Sequence, residues 1–223
     1  MDDDRTLART AGILYLVTIA TSIPALALKT PLLETGAHSE LAIWSALLEI
    51  AMAFACVGTA ITLLPITRRH SEPLAFGFVA SRTLEAGLIL IGVLCVLSLV
   101  SLHDSSAGAD AALRALHTWA FLLGPGVMPA VNAMLLGTVL LRARLVPRVI
   151  PLMGLIGAPL LLASSVGTMF GAWTQTSTIA AAAALPIALW ELSLGVWLTV
   201  KGVAVESTTT KPPAHVVHGG LIR

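Results

Sequence analysis

The fold class predicted by this sequence is an all-α, polytopic bundle of six transmembrane helices with both termini in the cytoplasm. Three observations predict it. Hydrophobic residues make up 57% of the 223-residue chain and charged residues only 11%, against about 45–50% and about 25% in soluble domains. Mean hydropathy is +0.90. The apolar residues gather in six stretches, each near the roughly 20 residues that a helix needs to cross about 30 Å of hydrocarbon.

The stretches lie at about 9–28, 41–65, 74–101, 113–141, 150–172 and 178–200, joined by short polar connections. No connection has room for a soluble domain, so residues 1–201 are expected to form one membrane domain. Residues 202–223 combine Thr, Pro and Gly without apolar periodicity, which is the composition of a disordered tail. His215 and His218 in that tail read as solvated side chains rather than ligands, and no metal site and no cofactor is expected anywhere in the chain.

The first span follows "MDDDR", which is acidic where a cleaved signal peptide is basic, and its apolar run exceeds the usual signal core. It is therefore read as a retained helix despite "ALA" at 25–27. The second span carries Ser45, Glu49, Cys56 and Thr59 at spacings of 4, 7 and 3, a polar stripe along one helix face that should point into the bundle. Cys56, like Cys95 in the third span, reads as small apolar packing.

The third span contains "GFVASRTLEAGLILIG", residues 77–92, in which Arg82 and Glu85 stand three apart on one face and within reach of an ion pair. In the fourth, Gly124, Pro125, Gly126 and Pro129 fall in mid-membrane. Proline removes a backbone donor and clashes with the preceding turn, so this helix is expected to kink or unwind at Gly124, Pro125 and Gly126. A packing kink is the commoner origin, and a broken helix lining a transport site the functional one. Asn132 follows about two turns later, at a depth similar to that of Arg82. His117, near the outer end, reads as an interfacial histidine reaching for water, with a proton relay or ligand role as the second reading. The fifth span has no ionisable residue, and the sixth places Glu191 near its centre.

Orientation follows from the basic residues. Arg5, Arg9, Arg68, Arg69, Arg142, Arg144, Arg148, Lys201, Lys211 and Arg223 fall on one side of a six-span topology, and Lys29 and Arg114 on the other. The first side is then the cytoplasm.

Glu49, Arg82, Glu85 and Glu191 are the ionisable residues assigned to the spans. A charge near the bilayer centre costs about 2.5–3.5 kcal/mol even on the lenient insertion scale, so all four should face the interior and form one polar ladder. One arginine among three glutamates leaves an excess of two negative charges, to be met by protons or by a bound cation. Interhelical tying is the structural alternative, although such polar contacts average only about 0.6 kcal/mol. The candidate ligand or proton site is therefore Glu49, Arg82, Glu85, Glu191, Asn132 and His117. An offset of 142 also superposes Gly12 on Gly154, Ser22 on Ser164 and Glu49 on Glu191, which would make spans one and two parallel repeats of five and six. Apolar sequences align readily by chance, and both explanations stay open.

A net charge of +1 excludes a general attraction to nucleic acid. There is no Gly-rich phosphate loop, "HExxH" or "GxSxG". His103, Asp104, Asp110 and Arg114 in the third connection read as a solvated loop, with acid–base work at a membrane site as the alternative.

"AGILYLVT", "LEIAMAFACVGTAITLLP", "GFVASRTLEAGLILIG" and "ELSLGVWLTVKG" resemble the bacterial membrane family known as domain of unknown function 4386. The resemblance runs from about residue 9 to 202 and implies a multi-pass protein of the bacterial cytoplasmic membrane, with no activity to carry over. Three classes follow, in order of preference: a proton- or cation-coupled small-molecule carrier, a non-catalytic helper or sensor binding a lipid or partner, and an intramembrane enzyme. The partners expected are membrane lipids, a small-molecule or cation ligand, and a protein partner of unspecified kind.

Overall fold

A computed structural model describes residues 2–37, 39–102 and 107–204. All regular structure among them is helical: α1 (Asp2–Thr35), α2 (Ser39–Thr67), α3 (Glu72–Ser101), α4 (Ala107–Phe121), a π-helical segment (Leu122–Val127), α5 (Met128–Ala143), α6 (Val149–Met169) and α7 (Thr178–Val200). Because α4, the π segment and α5 run on without interruption, the described residues form six helices long and apolar enough to cross a membrane.

Helix ends are set by backbone stops rather than by the limits of the apolar windows. The apolar run of the first span ends at Leu28, yet nothing breaks α1 until Gly36, whose φ of 75° is the left-handed cap that glycine adopts freely. The Gly36 N–H donates to the Leu32 carbonyl at 3.0 Å. Lys29 therefore belongs to α1 and not to an outer connection. At the same end of the bundle, α7 is capped by Ser177, whose Oγ accepts from the Ala180 N–H at 3.2 Å.

Each span packs on the next, and α7 returns against α1, so the six spans close into a ring. Glycines permit the tightest approaches, as expected where lipid removes the hydrophobic drive and close packing must hold helices together. A methyl group on Gly12 would lie 2.5 Å from the Thr199 backbone nitrogen, and one on Gly154 would lie 2.7 Å from the Trp190 ring. The largest core cluster, with Tyr15, Leu63, Phe78, Leu136, Trp190 and Leu194 buried, fills the ring where α1 and α7 meet. Ile23, Phe54, Leu94 and Ile156 are instead exposed on the outside, the apolar exterior of a lipid-facing bundle.

At the Gly-Pro-Gly stretch, the fourth span widens its winding from α to π over Leu122–Val127. Pro125 has no N–H to donate, and the looser register accommodates the missing bond. The Gly126 carbonyl accepts from Ser165 Oγ of α6 at 3.1 Å, which ties the segment to its neighbour. Asp110 and Arg114, expected in a loop, lie on α4; His103 and Asp104 fall outside the described residues. Within the segment assigned to the tail, Ala204 donates its N–H to the Leu145 carbonyl at 2.8 Å. Lys211, His215, His218 and Arg223 lie outside the described residues.

Candidate functional site

The ring brings four of the six sequence-predicted residues together. Arg82 and Glu85 share the inward face of α3, and Arg82 Nη1 donates to Glu85 Oε2 at 2.9 Å. Asn132 of α5 donates Nδ2 to the same carboxylate oxygen at 2.7 Å. From across the ring, Glu191 of α7 places Oε1 3.8 Å from Arg82 Nη1. The guanidinium lies over the Tyr15 ring of α1, 4.8 Å from its centroid, and Nη1 also reaches Cys56 Sγ of α2 at 3.7 Å. Four helices thus meet at one arginine, and α5 joins them through Glu85. The side chains of Arg82 and Glu85 are 1% and 6% exposed, against 16% for Glu191, so Glu191 is the least buried charged member of the cluster.

The other two predicted residues, Glu49 and His117, form a second cluster. Glu49 Oε1 accepts from Lys29 Nζ at 2.5 Å, with the two side chains 6% and 1% exposed. This pairing corrects the charge count: Lys29 enters the membrane on α1, so the excess of negative charge is one and not two. The Lys29 ammonium also sits 4.9 Å from the Phe121 ring centroid. His117 stacks on the same Phe121 ring, with centroids 6.2 Å apart. At 5% exposure it does not reach water. It is buried because α3 presents Gly92 at that level, where a Cβ would already be 3.7 Å from His117 Cδ2. Arg114, one turn earlier on α4, donates Nη1 to the Leu32 and Leu33 carbonyls, a cation satisfying the last turn of α1 rather than a solvated loop residue.

The Lys29–Glu49 pair is formally neutral, and the Arg82, Glu85 and Glu191 cluster carries one formal negative charge. Several buried polar atoms around them have no hydrogen-bond partner among the described residues: Arg82 Nε and Nη2, Tyr15 Oη, Asn132 Oδ1, Trp190 Nε1, Glu49 Oε2 and His117 Nε2. Each such group costs about 1–3 kcal/mol while it stays unpaired. No group of three or more His, Cys, Asp or Glu is placed to hold a metal ion among the described residues.

A cavity of about 390 Å³ lies between α1, the π segment, α6 and α7. Leu122, Pro125 and Leu161 give it an apolar wall, and Ser164, Ser165 and Thr168 a polar shelf. Phe121 also lines it, so one ring borders both the cavity and the Lys29 pair.

Sequence reasoning missed Lys29, Tyr15 and Trp190. The stop at Gly36 was the available signal for Lys29, since a helix continuing to it must include residue 29. Tyr15 and Trp190 carried none, because an aromatic side chain in an apolar span has no feature that distinguishes packing from function. The proposed repeat places Gly171 at the position matching Lys29, so Glu49 and Glu191 do not share a pairing scheme.

A family model described as "Domain of unknown function (DUF4386)" matches residues 10–202. No curated protein and no solved structure matches the chain. The matched segment includes every residue of both clusters.

Proposed function

The chain belongs to the family named for domain of unknown function 4386, and we propose that it is a carrier of the bacterial cytoplasmic membrane that moves a small molecule together with a proton. The observation behind this reading is the sharing of Arg82 between Glu85 at 2.9 Å and Glu191 at 3.8 Å. These carboxylates come from spans on opposite sides of the ring. One cation facing two carboxylates in a water-poor interior favours uptake of a proton or a monovalent cation. Glu191 is the least buried of the three, and Asn132 holds Glu85 in its pair with Arg82. Protonation of Glu191 weakens its hold on Arg82 and loosens α7 from α3, which links proton movement to helix movement. The π segment is the natural flexing point, since π turns recur at functional sites and here border a cavity.

The proposed orientation has both termini in the cytoplasm. It rests on the basic connections, two of which lie at one end of the bundle, where Arg69 of the α2–α3 turn donates to both Asp4 carboxylate oxygens at 2.7 and 3.0 Å.

Proteoliposomes enclosing a pH dye and exposed to a panel of organic acids, amines, sugars and alkali cations test the carrier. At least one compound should change lumenal pH, with the response lost in Glu191→Gln and kept in the lipid-facing control Thr83→Ala. Coincident traces for wild type and Glu191→Gln across the panel would overturn the reading. A non-catalytic sensor or helper that holds a lipid is the second reading, favoured by the 390 Å³ cavity with its apolar wall and hydroxyl shelf. It predicts a lipid retained in native mass spectrometry and lost when Ser165→Phe fills the cavity.

A further inference from the structure

We propose, building on the carrier reading, that the inner cluster receives the carboxylate of a small organic acid on the Nε and Nη2 edge of Arg82. The Nε–H and one Nη2–H of a guanidinium run parallel, at the spacing of two carboxylate oxygens, and this edge gives arginine its bidentate recognition. In Arg82 every pairing falls on Nη1: Glu85 at 2.9 Å, Glu191 at 3.8 Å and Cys56 Sγ at 3.7 Å. Among the described residues the Nε and Nη2 atoms have no partner, although the side chain is only 1% exposed. Arg69, by contrast, directs two nitrogens at the Asp4 carboxylate, at 2.7 and 3.0 Å. Arg82 keeps its fork free.

The surroundings orient that fork. Tyr15 lies under the guanidinium at 4.8 Å and Phe78 at 6.0 Å, fixing its plane. The Tyr15 ring meets the Trp190 ring edge-on at 6.4 Å. Tyr15 Oη and Trp190 Nε1 are buried donors without partners, and Asn132 Oδ1 is a buried acceptor without one. A carboxylate on the fork, with a hydroxyl or amino group beside it, would supply complementary acceptors and a donor.

Charge selects the class. With Glu191 ionised and no ligand, Arg82, Glu85 and Glu191 together carry one negative charge. With Glu191 protonated and a monocarboxylate bound, the cluster again carries one, so the acid's anion and a proton enter without changing it. A dianionic phosphate would add a second negative charge, which a water-poor site disfavours. Because the fork is buried, the ligand enters only when the spans part, as an occluded carrier state requires.

The test uses the full-length protein in nanodiscs, titrated calorimetrically with acetate, lactate and benzoate, and with phosphate and acetamide for comparison. At least one monocarboxylate should bind saturably with proton uptake, seen as a dependence of the heat on buffer ionisation. Arg82→Lys keeps the charge but not the fork, and should weaken binding about tenfold or more. Tyr15→Phe should weaken it several-fold with unchanged thermal stability. Failure of all three acids to bind, equal binding by Arg82→Lys, or stronger binding of phosphate would each overturn the site. If Arg82→Lys does not fold, magnetisation transfer from carboxyl-labelled acetate to ¹⁵N-labelled guanidinium in the wild type decides the matter, and its absence overturns the site. Carboxylate binding without proton-linked flux overturns the carrier and leaves the site standing. Proton-linked flux of another compound without carboxylate binding does the reverse.

Discussion

Lys29 and Glu49 are each confined by burial to one partner, and removing either strands the other charge in a medium that cannot solvate it. Breaking such a pair costs about 3–5 kcal/mol, whereas replacing both members with apolar residues is often neutral. Lys29→Met should therefore lower stability by about that amount, and Lys29→Met combined with Glu49→Leu should recover most of it, as read from unfolding midpoints in detergent. If the double variant is no more stable than the single one, the pair is not isolated and Glu49 serves a further partner. At Asn132 the lost bond is to a charged oxygen, worth about 1.5–3 kcal/mol, so Asn132→Leu should destabilise by that order. The Arg82–Glu85 contact was legible in the sequence because it is local, three residues apart on one helix. The Lys29–Glu49 contact spans twenty residues of separation across a turn, and an apolar window ending at Leu28 concealed it.

Among the elements, the fourth span offers the sharpest dissection. Its π winding inserts an extra residue into the helical register, and deleting Val127 should return the segment to α winding. One residue corresponds to about 100° of rotation in an α-helix, but the wider π turns already absorb it, so closing the bulge should leave Asn132 facing Glu85. In that background Asn132→Leu should still destabilise by about 1.5–3 kcal/mol. Loss of that effect would show that the π register is needed to set Asn132. The proline and glycines announced an irregular helix, but the form of the irregularity depended on α6, where Ser165 accommodates the Gly126 carbonyl. Close helix contacts give a second test. Gly154→Ala forces a methyl to within 2.7 Å of the Trp190 ring and should cost about 1–3 kcal/mol, with a change in tryptophan fluorescence. Gly87→Ala, with no atom within 4 Å of the added carbon, should change stability by no more than about 1 kcal/mol.

For the whole molecule, closure of the ring by α1 against α7 places the first and last spans beside each other and turns the polar faces of α1, α2, α3, α5 and α7 toward one interior. The orientation proposed for this ring is testable in intact cells, because the native Cys56 and Cys95 are buried and give little background. An impermeant maleimide should label Thr35→Cys at the outer end of α1 and leave His70→Cys, in the α2–α3 turn, unlabelled until the cells are opened. The opposite pattern would invert the topology.

The sequence by itself determined six apolar spans, the burial of charges too costly to face lipid, and the local Arg82–Glu85 pair. All three follow from composition, length or spacing along one helix. Only the tertiary structure decided that Lys29 neutralises Glu49, that Glu191 shares Arg82, and that Tyr15 and Trp190 stand beside the arginine. In a soluble helix the polar face marks the outside, but in lipid the outside is as apolar as the core. The rotation of each helix about its axis therefore leaves little trace in the sequence, and contacts between spans emerge only when the ring closes.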